Sequence, residues 1–295
     1  MRSKLFVPAS RPELFSKAIA SAADAISFDL EDAVAVESKG MARAALESFL
    51  RGNSDSPVSA QASQTQQTLI VRVNAVDTAH FDADLNASIW PTLQIINLPM
   101  VESPKAICLA AEKIAKLVEA RGINRPVGIL ANIESPRGLR MAADIATAHP
   151  SVVGLQIGYG DLFAPLGILS GEPSATQFVR TAVRMAAGEA GIAAYDGAYV
   201  NFQDREGFRL DSMAARHLGF AGRSCIHPSQ IEVMNEVFMP SKAELAHALK
   251  VVRAAEINLG AGVGAFTVDG RLVDGPFITE AKNLLALATR LGLIP

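Results

Sequence analysis

Short apolar runs alternate along this chain with longer segments of helical period. The runs predict strands over residues 5–9, 25–30, 69–74, 95–101, 127–134, 152–158, 193–200 and 220–227. Helical spacing of apolar positions predicts helices over 11–22, 39–50, 104–121, 136–148, 175–190 and 205–218. Strands that alternate with helices pair in parallel, and eight such repeats close into a barrel, so the fold class is α/β, a (β/α)8 TIM barrel. Several strand runs are apolar on both faces, as expected when helices cover the outside. Ser103-Pro104 and Ser135-Pro136 each place a capping serine before a first-turn proline. Gly122 and Gly191 mark helix ends.

The pattern lapses twice. Residues 53–68 are a Ser/Gln-rich stretch with almost nothing to bury, expected to form a mobile loop on the face away from the chemistry. After the eighth strand the chain continues with a helix pair over 228–258, a hairpin turning at Asp269-Gly270 and a final helix over 278–291. The expected division is therefore a barrel core over residues 1–228, with helices and a hairpin over 229–295 packing on the barrel or on a neighbouring subunit. The glycine run at 260–264 lacks the Gly-Lys-Ser/Thr ending of a phosphate loop and opens no helix.

Composition narrows the function classes. The chain has 295 residues, 49% hydrophobic and 19% charged, which suits one well-buried domain with a short appendage. A net charge of −3 without a basic block gives no footprint for nucleic acid. No apolar run is long enough to span a membrane, and the N-terminus reads as a first strand rather than a signal peptide. Cys108 and Cys225 form neither a disulfide framework nor a zinc motif, and are expected to be buried, reduced thiols in a cytoplasmic protein.

The candidate chemistry lies at strand ends. Three runs finish in carboxylates: Asp29, Glu31 and Asp32 after the second strand, Glu134 after the fifth, and Asp161 after the sixth. In a barrel these ends surround the active site. With no cluster of Lys or Arg beside them in sequence, they point to a hard divalent cation such as Mg²⁺. Glu134 and Asp161, from consecutive strands, are the expected metal ligands. Asp29, Glu31 and Asp32 are expected around them, Glu31 and Asp32 holding metal-bound waters. Arg72, inside an apolar strand, suits a two-bonded grip on a substrate carboxylate or a salt bridge to the acids of the second strand, or both. His227 is expected to be structural or to shape the site, and Asp196 to orient neighbours.

These motifs resemble the citrate lyase beta-subunit-like CoA ester lyases of the HpcH/HpaI aldolase superfamily. The segments are Arg2-Ser3-Lys4-Leu5-Phe6-Val7-Pro8, Phe28-Asp29-Leu30-Glu31-Asp32-Ala33-Val34, Val71-Arg72-Val73-Asn74, Ile133-Glu134-Ser135, Gly158-Tyr159-Gly160-Asp161-Leu162 and Gly222-Arg223-Ser224-Cys225-Ile226-His227-Pro228, in the family's order. The resemblance implies Mg²⁺ at Glu134 and Asp161, Arg72 on the keto-acid carboxylate, and Asp274 reaching the thioester end of a neighbouring subunit's site. The reaction it implies is cleavage of a 3-hydroxy-acyl-CoA thioester of the citramalyl-CoA or malyl-CoA kind. It further implies a homo-oligomer, a trimer or hexamer. Alternatives are a citrate lyase beta subunit served by an acyl carrier protein, a keto-acid aldolase without CoA, and a non-catalytic metal-binding barrel. Three positions depart from the family's pattern. Ala9-Ser10 stands where Gly followed by Asn or Asp is common, and Met100 and Arg223 each stand where Lys is frequent.

Overall fold

The computed structural model describes residues 1–52 and 57–294. Eight parallel strands follow one another round a closed barrel: β1 (Ser3–Pro8), β2 (Ala25–Asp29), β3 (Thr68–Arg72), β4 (Ile95–Leu98), β5 (Gly128–Ile133), β6 (Val152–Ile157), β7 (Ala193–Asp196) and β8 (Gly222–Cys225). β1 pairs with β8 to close it. The helices of this unit are α1 (Phe15–Ile19), α2 (Lys39–Leu50), α3 (Pro57–Gln64), α4 (Phe81–Ser88), α5 (Pro104–Ala120), α6 (Pro136–Arg140), α7 (Ala142–Thr147), α8 (Tyr159–Phe163), α9 (Pro173–Glu189), α10 (Arg205–His217) and α11 (Ser229–Val237). The expected barrel and the order of its elements are present.

The outer faces of the strands and the inner faces of the helices form one core. Phe28 of β2 lies edge-on to Phe15 of α1 and Phe49 of α2, with ring centroids 4.7 and 5.3 Å away. Such contacts add about 0.5–1.5 kcal/mol each to the area they bury. Ser103 caps α5 by accepting from Ala106 N, and Ser135 caps α6 by accepting from Gly138 N, as the Ser-Pro pairs predict.

The barrel interior is different from the expected apolar filling. Alternation sends Lys4, Asn97, Asn132, Gln156 and Ser224 inward, where they bond to one another. The runs looked apolar because these single polar residues are spaced among Leu, Ile and Ala.

Four local expectations change. The helix over 136–148 is two helices, broken at Met141 (φ −96°, ψ 9°). The helix α4 was not apparent in the pattern: it is eight residues long and buries Asp84, which accepts from Arg43 Nε and from the Asn74 side chain. The Ser/Gln-rich stretch carries α3, with Ala62 buried and Ser63 Oγ donating to Gly52 O. Beyond that helix, Gln67 Nε2 donates to Ser21 O and Ala23 O. Residues 53–56 of that stretch lie outside the described residues. Finally, Cys108 is exposed on α5, while Cys225 is buried and its thiol is pushed up to about 12, chiefly by burial.

The chain divides into two compact units, Met1–Phe238 and Met239–Pro295. The first includes α11, the eighth barrel helix. The second holds α12 (Lys242–Gly260), the hairpin β9 (Phe266–Val268) and β10 (Arg271–Val273), and α13 (Gly275–Arg290). The hairpin turns at Asp269 (φ 50°) and Gly270 (φ 79°), as expected. α12 starts with a capping box between Ser241 and Glu244. This unit has its own small core of Ala248, Val251, Ala255, Val273, Ile278 and Ala281. Among the described residues, no helix is long and apolar enough to cross a membrane.

The two thiols differ enough to be told apart. A thiol-specific chromogenic reagent should titrate one cysteine per chain in the native protein and two after denaturation, and Cys108→Ser should remove the native signal.

Candidate active site at the barrel mouth

Asp29 and Arg72 are register partners on adjacent strands, each at the C-terminal end of its own. Their side chains therefore emerge together. Arg72 Nε donates to Asp29 Oδ1 at 2.8 Å and Nη2 to Oδ2 at 2.7 Å, a two-bonded pair. Its Nη1 lies 2.8 Å from Glu31 Oε2 and 3.4 Å from Asp32 Oδ2. Phe6 of β1 lies under the guanidinium, 5.1 Å from ring centroid to Cζ. The acids of the second strand thus have a cationic partner that their sequence neighbourhood did not reveal, so they are no longer an argument for a metal by themselves.

The acidic loop after β2 is held by its backbone. Asp29 accepts from Glu31 N and Ala33 N. Lys39, buried at the start of α2, donates to Leu30 O and Glu31 O, and Asn74 Nδ2 also donates to Leu30 O. Burial raises the carboxyl of Asp29, but the Arg72 hydrogen bonds and charge outweigh it and hold the group below the usual carboxylate range. Glu31 goes the other way: burial first, then the charges of Asp32, Glu134 and Asp29, push it up to about 8 despite Arg72.

Glu134 follows β5 directly and is buried. Its Oε1 accepts from Met100 N at 2.6 Å and its Oε2 from Asn132 Nδ2 at 3.2 Å. Met100 adopts a left-handed backbone (φ 50°), uncommon for a residue with a side chain. This conformation accompanies an N–H aimed at the carboxylate, while the Met100 side chain is exposed. Gly158, after β6, has to lack a side chain: a Cβ there would overlap Glu134 Oε2. Burial is the main cause of a raised Glu134 carboxyl, and the like charge of Asp161 adds to it. Asp161 lies beyond β6, as expected, in the first turn of α8, which starts right after the strand.

Arg72, Asn132, Glu134, Gln156 and Asp161 line one cavity of about 770 Å³. Another part of its wall includes Tyr159, Tyr199, Asp211 and Arg223. There Asp196 accepts from Tyr159 OH at 2.6 Å and Arg180 Nη2 at 2.7 Å, and Asp211 accepts from Arg180 and Arg223. Two arginines and two aspartates make this wall rigid and close to neutral. Asp196 thus orients Tyr159 and Arg180. His227 is exposed, stacked on Phe202 with centroids 4.8 Å apart and bonded to Ser229, a local capping role. Asp274 lies in the second unit, just before α13, with one buried carboxylate oxygen lacking a hydrogen-bond partner among the described residues.

The site therefore gathers Asp29, Glu31, Asp32 and Arg72 in one bonded cluster, and adds Glu134 and Asp161 on the same cavity. Sequence reasoning missed Lys39, Asn97, Asn132 and Gln156. Alternation could have found the last three, because each is a lone polar residue at an inward position of an apolar strand. Of the three carboxylates that line the cavity, Glu134, Asp161 and Asp211, only Asp211 is ion-paired with arginine among the described residues. Among the described residues, no three His, Cys, Asp or Glu side chains form a set that could hold a metal ion by themselves.

Comparison with known proteins places the chain. The family model for HpcH/HpaI aldolase/citrate lyase matches residues 2–228. The citrate lyase subunit beta of Escherichia coli (strain K12) is 33% identical over 295 residues, covering 99% of this chain and 94% of that protein. A (3S)-malyl-CoA thioesterase of Cereibacter sphaeroides is 36% identical over 288 residues, covering 97% and 94%. Protein CitE of Mycobacterium tuberculosis, solved in complex with magnesium, acetoacetate and coenzyme A, superposes with a TM-score of 0.76 at 33% identity, covering 98% of this chain and 100% of that one. Matched across its whole barrel and about one third identical to relatives of nearly equal length, the chain belongs to the HpcH/HpaI aldolase/citrate lyase family.

Proposed function

We propose that this chain is a Mg²⁺-dependent carbon–carbon lyase. Its substrate would be a 3-hydroxy-acyl-CoA thioester carrying a free carboxylate, of the citramalyl-CoA or malyl-CoA kind, and its products a 2-keto acid and an acyl-CoA. The observation that carries the reading is a single cavity lined by the acids Glu134 and Asp161 and by Arg72. The magnesium, acetoacetate and coenzyme A bound by the related CitE support the choice of ion and substrate class.

The residues present fit the ion. Mg²⁺ is held by one or two carboxylates and keeps positions for water and substrate oxygens, so two protein ligands suffice. Glu134 is buried beside a like charge, an arrangement that is costly for an ionised acid without a cation. Met100 N–H and Asn132 fix one lone pair on each Glu134 oxygen and leave the rest of the carboxylate available. Bound there, Mg²⁺ would polarise the substrate's oxygens and favour loss of its hydroxyl proton.

Arg72 would orient the substrate. Asp29 occupies Nε and one Nη2 hydrogen, so the other Nη2 hydrogen and the Nη1 hydrogen beside it form a second edge. A carboxylate could take that edge in two bonds, displacing the contact with Glu31. Asp29 is then a positioning residue that sets the guanidinium plane. Cleavage breaks the bond between the thioester's α-carbon and the carbinol carbon. The electron pair stays on the α-carbon as an enolate, and the carbinol becomes the keto group. Asp274, supplied by a neighbouring subunit in a trimer or hexamer, would deliver the proton that the α-carbon then needs, while the proton lost from the hydroxyl passes to solvent, from which Asp274 is protonated again.

A second reading is favoured by the curated relatives. It is action as a citrate lyase beta subunit on an acyl-carrier-protein thioester, or thioester hydrolysis as in the malyl-CoA thioesterase. Incubation of the purified protein with Mg²⁺ and malyl-CoA or citramalyl-CoA separates these. Keto acid without free thiol is the expected outcome. Free thiol would indicate hydrolysis, and turnover only of a citryl-acyl carrier protein would indicate the carrier-linked reaction.

Glu134→Gln and Asp161→Asn each preserve shape and remove a ligand charge. Both are expected to abolish Mg²⁺-dependent turnover and to weaken Mg²⁺ binding in calorimetry, with circular dichroism unchanged. Wild-type affinity in both would remove the metal assignment. Arg72→Lys keeps the charge but loses the planar fork. It should lower kcat/KM by an amount equal to ~2 kcal/mol or more, and unchanged kinetics would make Arg72 purely structural.

Glu31 makes the metal-free protein pH-sensitive. Its folded-state carboxyl is raised from 4.5 to about 8, so the folded state binds its proton more tightly than the unfolded chain does. The resulting stability is complete below the ordinary carboxylate value and is lost as pH rises through about 8. The Tm of metal-free protein should therefore fall across this range, and Glu31→Gln should flatten the slope.

A further inference from the structure

Lys4 is fully buried inside the barrel, an unusual place for an ammonium. Among the described residues, no carboxylate bonds to it directly. Its Nζ donates to Asn97 Oδ1 at 3.2 Å and lies 4.2 Å from the Phe6 ring centroid. From Asn97 a chain of amides runs upward. Asn97 Nδ2 donates to Asn132 Oδ1 at 2.7 Å, and Asn132 Nδ2 donates to Glu134 Oε2 at 3.2 Å. Gln156 Nε2 also donates to Asn132 Oδ1 at 3.1 Å, and Ser224 Oγ donates to Gln156 Oε1 at 3.3 Å.

The chain has a direction. An ammonium can only donate, and an ionised carboxylate can only accept. With Lys4 at one end, Asn97 must turn its oxygen down and its amide up, and Asn132 must do the same. The Leu130 carbonyl, accepting from Asn97 Nδ2 at 3.0 Å, favours the same orientation. Burial and the charge of Arg72 lower the Lys4 pKa, whereas Asp29 and Glu134 oppose that shift. Even as an amine, Lys4 keeps an N–H for Asn97.

We infer that Lys4 is a positioning residue for the metal-binding carboxylate, fixing Glu134 through the Asn97–Asn132 amide chain. This rests on the metal reading given above. It assigns a use to a buried cation that the proposed chemistry does not touch. Partners that orient a ligand from behind are commonly worth 10–100-fold in metal affinity. Lys4 acts through two amides, so the effect belongs at the lower end of that range.

The test measures Mg²⁺ affinity by calorimetry, with no substrate present, in native protein, Lys4→Met, Asn97→Leu and the double variant. Metal-free thermal stability is measured alongside. Lys4→Met replaces a buried charge by an apolar chain of similar length, so metal-free stability should hold or rise. Mg²⁺ affinity should fall about tenfold. The double variant should lose little more than either single one, because both cut the same chain. Native-like affinity in Lys4→Met overturns the inference. So does a parallel loss of stability and affinity in Lys4→Met, or additive losses in the double variant, since either makes the role merely structural. If Lys4→Met does not fold, Asn97→Leu decides: native-like Mg²⁺ affinity there overturns the inference. Native protein that binds no Mg²⁺ overturns the metal reading itself, a separate result.

Discussion

The Asp29–Arg72 pair is the constraint on which the barrel mouth depends. Adjacent parallel strands place the two residues side by side, both largely withdrawn from water. Either charge alone would be costly there, and breaking such a pair by removing one partner typically costs 3–5 kcal/mol. The two-bonded geometry also fixes the guanidinium plane. Glu31 and Asp32 then arrange themselves about Nη1, and Lys39 and Asn74 tie down the loop that carries them. The site's cation is thus part of the fold before any ligand enters.

That pair explains the contrast between two nearby carboxylates. Asp29 shares two hydrogen bonds with Arg72 and is held ionised. Glu31 touches the same guanidinium without a well-aligned bond and is surrounded by other acids, so it is held close to neutrality at ordinary pH. Burial acts on both, and the difference lies in bond geometry. Glu134 is a third case, deeply buried and served, among the described residues, by a backbone N–H and an amide. Burial therefore dominates and holds its carboxyl above the usual range.

Beneath the mouth, the barrel interior is a bonded layer of amides, a hydroxyl and an ammonium rather than a packed aliphatic filling. Such a layer is stable only if its members satisfy one another. Here the donors and acceptors run in one sense toward Glu134. The outer core, with its aromatic cluster of Phe15, Phe28 and Phe49, supplies the apolar burial that the interior does not. Division of labour between a hydrophobic outer layer and a polar inner one lets the same strands build a stable frame and a charged site.

By itself the sequence determined the barrel, because alternating strand and helix periods allow few other closures. It also determined which acids stand at or just beyond strand ends, since strand ends can be read from where apolar runs stop. The hairpin at Asp269-Gly270 and the serine caps were equally legible, being set by local backbone chemistry. Only the tertiary structure decided who pairs with whom. Register across β2 and β3 gave Arg72 to Asp29, something no spacing between residues 29 and 72 encodes. It put Cys108 on an exposed helix face and Cys225 inside, although both sit among apolar neighbours in sequence. It put Asp161 in the first turn of a short helix, α8, and buried Asp84 in a helix too short for its period to show. It also joined Lys4 of β1 to Glu134 through Asn97 of β4 and Asn132 of β5, because inward-facing side chains distant in sequence meet at the barrel axis.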